Sequence, residues 1–512
     1  MKYALSSLNI AVLGIIQIGF AFRSVLESTR SLALCNRLNA GPLDSMFNIF
    51  GGSGASTKDT KAIQDLVSGF RGEGIVSWED LDAKLRKIET EEERFDFEQK
   101  ASGRGSTNHK TNLRLFDAPD EYEPEVTLYR DQAAWCPYCE KVWLLLEEKR
   151  IPYRVEKVPL RCYGDKPPSF YRINPSGGLP AAIIKGRTMA ESNDILFALE
   201  QQFPEHKPLM PDPNKQPALA ARVTPLMQLE RQSFSIWFRW LTSSGNAASQ
   251  MDKALQQIDR ELASTSGDYF LGEDISMVDI LFTPFLERMA ASLPYYKGFE
   301  VRSASKYPHL CRWFEAMDSR PAYAGLKSDY YTHCMDLPPQ IGGCVPTPEG
   351  QPFRDKIHGG DWNVKIKPSE CFEPMIPSSE EIAIREVVRN VIANHNAVAK
   401  FAARAAGPRQ GGSTVSAALA DPNAVSYLDA IPVIDASVRT ILSNMIDSIS
   451  IRSGDSIHNN NAARLDSLAM DASLRAIVSS CLVYLRDRVG VPRDMSVHAA
   501  KQFRSHINLF LS

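Results

Sequence analysis

The stretch Trp135-Cys136-Pro137-Tyr138-Cys139 constrains the fold more than any other part of the chain. Residues 125–129 before it alternate like a short β-strand. Residues 140–149 after it follow a helical period, with Val142, Leu145 and Leu146 on one face. Cys136 is therefore expected at a strand-to-helix turn, its sulfur at the helix N-terminus. Unpaired backbone N–H groups and the helix dipole favour a thiolate there. Pro137 suits the first helical turn, where no N–H is needed. Cys139 lies three residues on, on the same face, where it can resolve a mixed disulfide. Two blander readings stand beside this one: half of a zinc site, or an inert thiol pair. The zinc reading lacks a second Cys-x-x-Cys, and the other cysteines are scattered.

Residues 125–206 read as β-α-β-α-β-β-α. Residues 153–160 form the second strand and 166–172 a short helix. Asn174 to Gly178 make a turn, and residues 179–184 are a strand led by Pro180. Gly186-Arg187 closes a hairpin, and Glu191-Ser192 opens a last helix. Pro180 heads its strand with a carbonyl and no N–H, and a cis bond is a common solution there. Leu179 before it can then pair through its backbone with an extended peptide. The helix start at Glu191-Ser192 suits a carboxylate, through N–H groups and the serine hydroxyl. An activated thiol, a backbone edge and a carboxylate nest together fit a small acidic thiol tripeptide.

With the frame Lys166-Pro167, Phe170, Asn174-Pro175, Gly177, Leu179-Pro180 and Glu191-Ser192 added to Cys-Pro-Tyr-Cys, residues 125–330 resemble a cysteine-type glutathione S-transferase. The frame is similar to the omega, dehydroascorbate reductase and lambda classes; the Cys-Pro-Tyr-Cys is that of glutaredoxins. The resemblance implies an α/β thioredoxin-like domain, then an all-α transferase domain, with an additional mostly helical C-terminal extension. It implies that Cys136 is the thiol that forms a mixed disulfide with glutathione. It places the glutathione cysteine on the backbone of Leu179, the γ-glutamyl group on Glu191 and Ser192, and the glycyl carboxylate near Lys166. Cys139 departs from omega and lambda enzymes and leaves monothiol and dithiol chemistry both open. The implied activity is a glutathione-dependent thiol transferase or reductase with a small-molecule or protein disulfide acceptor. A non-catalytic glutathione-binding scaffold and a glutathione-conjugating transferase are the alternatives, and a homodimer is admitted.

The domain plan follows. Residues 1–22 read as a signal peptide, with an uncleaved membrane anchor as the alternative. Residues 23–50 are basic and serine-containing, like a transit peptide. Phe20-Ala21-Phe22-Arg23 resembles the junction of bipartite plastid signals, implying a stromal protein free of the membrane after processing, with secretion as the competitor. Residues 51–124 form a helical extension and linker. In it Trp78, Leu81, Leu85 and Ile88 share a face that packs on a later domain, and the polar run 101–124 is the linker. The thioredoxin-like unit spans 125–206 and the helical transferase unit 207–332, with a capping box at Ser276 and Asp279. An irregular linker spans 333–377 and the helical extension 378–512, with helices expected at 378–404, 424–449, 462–489 and 495–511. Arg486, Arg488, Arg493, Lys501 and Arg504 read as a solvated basic face, with a surface for an acidic partner as the alternative. A formal charge of −3 gives no argument for nucleic-acid binding, and the nine histidines show no metal-ligand spacing.

Overall fold

A computed structural model describes residues 67–512, apart from 68–69, 71, 73, 376–378, 409–416, 453–462 and 469. The signal and transit segments and the glycine joint near residue 51 lie outside the described residues. Two helices come first, α1 (Trp78–Ile88) and α2 (Glu91–Ala101). Each starts on a hydroxyl cap: Ser77 accepts from the Asp80 N–H, and Thr90 forms a capping box with Glu93.

The α/β layer comprises β1 (Leu113–Arg114), β2 (Val126–Asp131), α3 (Pro137–Lys149), β3 (Tyr153–Val158), α4 (Pro168–Ile173), β4 (Ala181–Ile184), β5 (Arg187–Met189) and α5 (Ser192–Gln202). The sheet order is β1-β3-β2-β4-β5. β2 runs parallel to β3, with Thr127 opposite Arg154, and antiparallel to β4, with Tyr129 opposite Ala181. Lys185 and Gly186 both take positive φ, 48° and 80°, as a two-residue hairpin turn between β4 and β5 requires. Buried Val126, Leu128 and Val155 pack with Val142, Leu145, Ile195 and Leu199 of α3 and α5. A small cluster of Val158, Phe170 and Ala181 joins α4 to the sheet.

The polar run 101–124 is not a plain linker. It carries β1, which extends the sheet edge antiparallel to β3. Buried Arg114 donates to both carboxylate oxygens of Glu147, at 2.8 and 2.7 Å, and to the Gly103 and Gly105 carbonyls. Polarity that reads as solvation in the sequence is here spent on a buried ion pair.

The helical layer holds α6 (Pro217–Leu241), α7 (Ala248–Ala263), α8 (Met277–Lys297), α9 (Pro308–Asp318), α10 (Pro321–Ala324) and α11 (Tyr330–Ile341). Asp279 fixes its centre. One carboxylate oxygen takes the Ser276 N–H and hydroxyl; the other takes the Phe270 N–H and the Trp313 indole N–H. α11 runs through Pro338 and Pro339, into the segment expected to be irregular. Pro338 cannot bond the Cys334 carbonyl, and the Tyr296 hydroxyl takes that acceptor instead, at 2.6 Å. Beyond it α12 (Gln351–Asp355) and several turns bury Cys344, Ile357 and Trp362 in the same core.

The remaining helices are α13 (Glu380–Ala402), α14 (Ile431–Arg452), α15 (Ala472–Arg486) and α16 (Val497–Leu511). α14 and α15 start later than their apolar patterns suggest, after short 3-10 turns at Leu428–Ala430 and Leu465–Ser467. With α1 they enclose a second core that includes Leu81, Leu85, Val387, Val391, Leu442, Met445, Val478 and Phe503. The basic C-terminal residues are not a solvated face. Arg504 is buried against Asp329, and its other nitrogen donates to the Val489 carbonyl at 2.6 Å. Arg493 lies over the Trp135 ring at 4.9 Å, and Arg488 over Tyr484 at 3.5 Å. Asp329 and Trp135 come from distant segments, so a count of charges along the sequence does not find them.

Candidate active site

β2 ends at Asp131, and the turn 132–136 delivers Cys136 to the N-cap of α3 with Pro137 in the first turn. No side chain caps this helix start, so its N–H groups remain turned toward the sulfur's end of the turn. Cys136 Sγ lies 3.9 Å from the Leu179 carbonyl oxygen, and Leu179-Pro180 is cis. The predicted thiol and the predicted backbone edge are thus brought together.

Cys139 sits one turn into α3 and is buried. Burial pushes its thiol well up, reinforced by the hydrogen bond and charge of Cys136 and by the charge of Asp131. Cys139 is thus held protonated. Asp131 completes the group: an oxygen of its carboxylate and both sulfurs lie within 4.8 Å of one another. One Asp131 oxygen accepts the Trp135 N–H at 2.6 Å, and the other is buried without a partner. Among the described residues this is the single cluster with metal-ligand geometry, and it offers three donors where a structural zinc site takes four.

Trp135 is held at every polar atom. Its N–H goes to Asp131, and its carbonyl accepts from Arg288 at 2.8 Å and Gln340 at 3.1 Å. Its indole N–H donates to the Val491 carbonyl at 2.8 Å. Arg288 also donates to Glu140 of α3 at 2.7 Å, tying the helical layer to the thiol helix. Burial, then the charge of Glu287, pushes the Glu140 carboxyl well up; Arg288 opposes both. Tyr163 meets Trp135 edge-on and donates to Asp336, whose carboxyl burial pushes up to about 7. Val491 and Arg493 come from the C-terminal extension, so residues more than 350 positions away in sequence fix the residue beside the thiol.

Lys166 is bound to the glycine turn, its ammonium donating to the Gly177 carbonyl at 2.6 Å. Burial lowers its pKa, and the charges of Cys139 and Cys136 oppose that. Glu191 is the N-cap of α5 and Ser192 its first residue. β5 pairs Met189 with Ala182, and Ala181 faces Tyr129, so α5 begins at the same sheet end as Cys136. Asn193 beside them has a buried Oδ1 without a partner.

Behind the thiol turn, Tyr138, Phe285 and Phe234 form an edge-to-face aromatic wall. Lys141 and Arg231 lie over the Phe285 ring, each at 4.8 Å from its centroid. Burial drops the Lys141 ammonium to about 8. Sequence reasoning missed Asp131, Trp135, Lys141 and Arg231. Only the position of Asp131 at the end of a strand, five residues before the cysteine, offered a signal.

Residues 135–202 match the glutathione S-transferase N-terminal domain, and residues 217–316 the glutathione S-transferase C-terminal domain. The chain is 26% identical over 196 residues to "Glutathione S-transferase DHAR3, chloroplastic" of Arabidopsis thaliana, covering 38% of this chain and 69% of the relative. It is 30% identical over 194 residues to a pyrimidodiazepine synthase of Drosophila melanogaster, covering 37% and 75%. The crystal structure of glutathione transferase Omega 3C from Trametes versicolor matches at 28% identity with a TM-score of 0.35, over 41% of this chain and 91% of that one. With both domains present in order around the Cys136 turn, the chain belongs to the glutathione S-transferase superfamily, as a cysteine-type member.

Proposed function

We propose that the protein is a glutathione-dependent thiol transferase or reductase acting through Cys136. The observation that carries this reading is the placement of the two thiols. Cys136 stands at an uncapped helix start beside the Leu179 carbonyl, while Cys139 is held protonated one turn behind it. Glutathione lies along Leu179. Its γ-glutamyl carboxylate meets Glu191-Ser192 at the start of α5, and its glycyl carboxylate meets Lys166.

The Cys136 thiolate attacks the glutathione sulfur of a mixed disulfide, RS–SG, and RS⁻ leaves with a proton as RSH. Cys136 now carries glutathione. A second glutathione thiolate releases it as oxidised glutathione, or Cys139 displaces it as reduced glutathione by forming the Cys136–Cys139 disulfide. For the second route Cys139 must lose its proton, and the unpartnered Asp131 oxygen is the nearest base. A dehydroascorbate-type reduction uses the same thiol. The aromatic wall with Lys141 and Arg231 is the face offered to the acceptor.

Steady-state rates with hydroxyethyl disulfide, dehydroascorbate and an aryl halide test the reading. Turnover of either of the first two, abolished in Cys136→Ser, supports it; turnover of the aryl halide alone contradicts it. The apolar and basic N-terminal segments, with the chloroplastic relative, support a plastid stroma. Residues 1–50 fused to a fluorescent reporter should carry it into the stroma of a complex plastid, and secretion would contradict the location.

A further inference from the structure

Where the segment after α12 meets α16, Cys371 and Lys501 face each other. Lys501 Nζ lies 2.6 Å from Cys371 Sγ. Nitrogen and oxygen hydrogen-bond partners sit at about 2.9 Å, and the larger sulfur atom needs more room than oxygen. The separation is therefore too short for a hydrogen bond to sulfur. It is also too long for a direct N–S bond. It matches the span of two single bonds through one oxygen atom.

Three further observations concern the same place. Cys371 and Lys501 both line a cavity of about 30 Å³ between the two cores. It admits water or hydrogen peroxide and excludes a tripeptide. Asp361 and Glu373 line it as well. Burial raises both carboxyls, Glu373 to about 8 with help from Asp329, so Glu373 can take up a proton near neutral pH. The pair also joins segments 130 residues apart in sequence. One of them is α16, whose Arg504 reaches Asp329 of the helical layer.

We propose that Cys371 and Lys501 form a covalent N–O–S bridge on exposure to peroxide, a reversible modification that clamps α16 to the segment after α12. The Lys501 ammonium first gives a proton to a cavity carboxylate. The amine, the Cys371 thiol and two hydrogen peroxides then yield the bridge and three waters. One N–H and one S–H bond are lost, and one N–O and one O–S bond form. Both peroxide O–O bonds break, four electrons pass to the peroxides, and one peroxide oxygen stays in the bridge. Four thiol equivalents reverse the step, returning amine, thiol and one water, with two disulfides as the oxidised product. A sulfenic acid at Cys371 is the natural first oxidation product. Its direct condensation with the amine would give an N–S bond at a much shorter separation.

The test is peptide mass spectrometry of the full chain treated with hydrogen peroxide, against untreated protein. The expected product is a cross-linked peptide pair containing Cys371 and Lys501, heavier than the two free peptides by one oxygen and lighter by two hydrogens. It should disappear after dithiothreitol and be lost in Cys371→Ser and in Lys501→Arg, which keeps the positive charge. Circular dichroism of both variants establishes that they are folded. A pair lighter by two hydrogens without the oxygen would mean an N–S bond and overturn the proposal. So would a Cys371 that stays alkylatable or passes to sulfinic acid with no cross-link.

Discussion

The core that surrounds the thiol and the core of the C-terminal extension handle polar groups in different ways. In the first, Arg130, Glu140, Lys141, Glu147, Glu287, Arg288 and His333 are all buried among aromatic and aliphatic side chains. Several of their atoms have no hydrogen-bond partner, including Arg130 Nε, Asp131 Oδ1, Glu140 Oε1 and His333 Nδ1. In the second, α1 and α13–α16 enclose an almost wholly aliphatic interior. Its buried cations lie at its boundary: Arg385 pairs with Glu93 of α2, and Arg504 with Asp329, the N-cap of α11. Unsatisfied buried polar groups cost stability; Asp131 and Glu140 place them beside the thiol turn, while those of the extension fall on Arg475, Tyr484, Arg488, Arg504 and Ser505. The extension has the character of a brace. Its apolar interior gives it shape, and its polar contacts with the first core act on the thiol turn: Val491 and Arg493 on Trp135, and the Val491 carbonyl on the Ser328 hydroxyl at 2.5 Å.

If this comparison is right, cutting the seam should cost more than any exposed contact. Arg504→Met leaves Asp329 buried without its cation and should lower stability by about 3–5 kcal/mol, read by urea unfolding. A loss below about 1 kcal/mol would show that the seam does not hold the extension in place.

The next effect is a dependence on pH. Asp336 is fully buried and its carboxyl is raised to about 7, first by burial and then, against the hydrogen bonds from Tyr163 and Gln340, by the charge of Asp131. The folded state therefore holds a proton that the unfolded chain has released. Its contribution is fully present below the unfolded value near 4, falls as pH rises from 4 to 7, and is absent above 7. Asp336→Asn should flatten the stability profile in that window by a few kcal/mol on the same linkage. An unchanged slope would mean that Asp336 is ionised in the folded protein.

Gly490 sharpens the link between extension and thiol. A Cβ there would lie 2.5 Å from Trp135 Cζ2. Gly490→Ala should cost about 1–3 kcal/mol as an overpacked contact and slow alkylation of Cys136, measured by mass spectrometry of the labelled thiols. Unaltered labelling would show that Trp135 does not position the cysteine. At the low end, Lys100→Ala removes a half-exposed ion pair with Asp96 on α2 and should change stability by less than about 0.5 kcal/mol.

Much of the α/β layer is legible because its signals are local. The strand before Cys136, the helix after it, the hairpin at Gly186 and the helix start at Ser192 are each written in a few consecutive residues. The Ser276–Asp279 cap is equally local, although the sequence does not say that Asp279 also receives the Trp313 indole. What periodicity cannot carry is pairing across distance. Arg114 looks solvated until Glu147 is placed beside it, and Pro338 looks like a helix end until Tyr296 satisfies Cys334. Val491 gives no sign that its carbonyl belongs to Trp135. Asp131 was hidden for a related reason: its partner is a backbone N–H, which every residue but proline offers.

The most direct test of the account is to trap the proposed intermediate. Cys139→Ser protein, incubated with oxidised glutathione and analysed by intact and peptide mass spectrometry, should carry one glutathione on Cys136, released by added reduced glutathione. Cys136→Ser should carry none at position 139. Glutathione found on other cysteines, or catalytic reduction of hydroxyethyl disulfide that survives Cys136→Ser, would contradict the assignment of Cys136 as the attacking thiol.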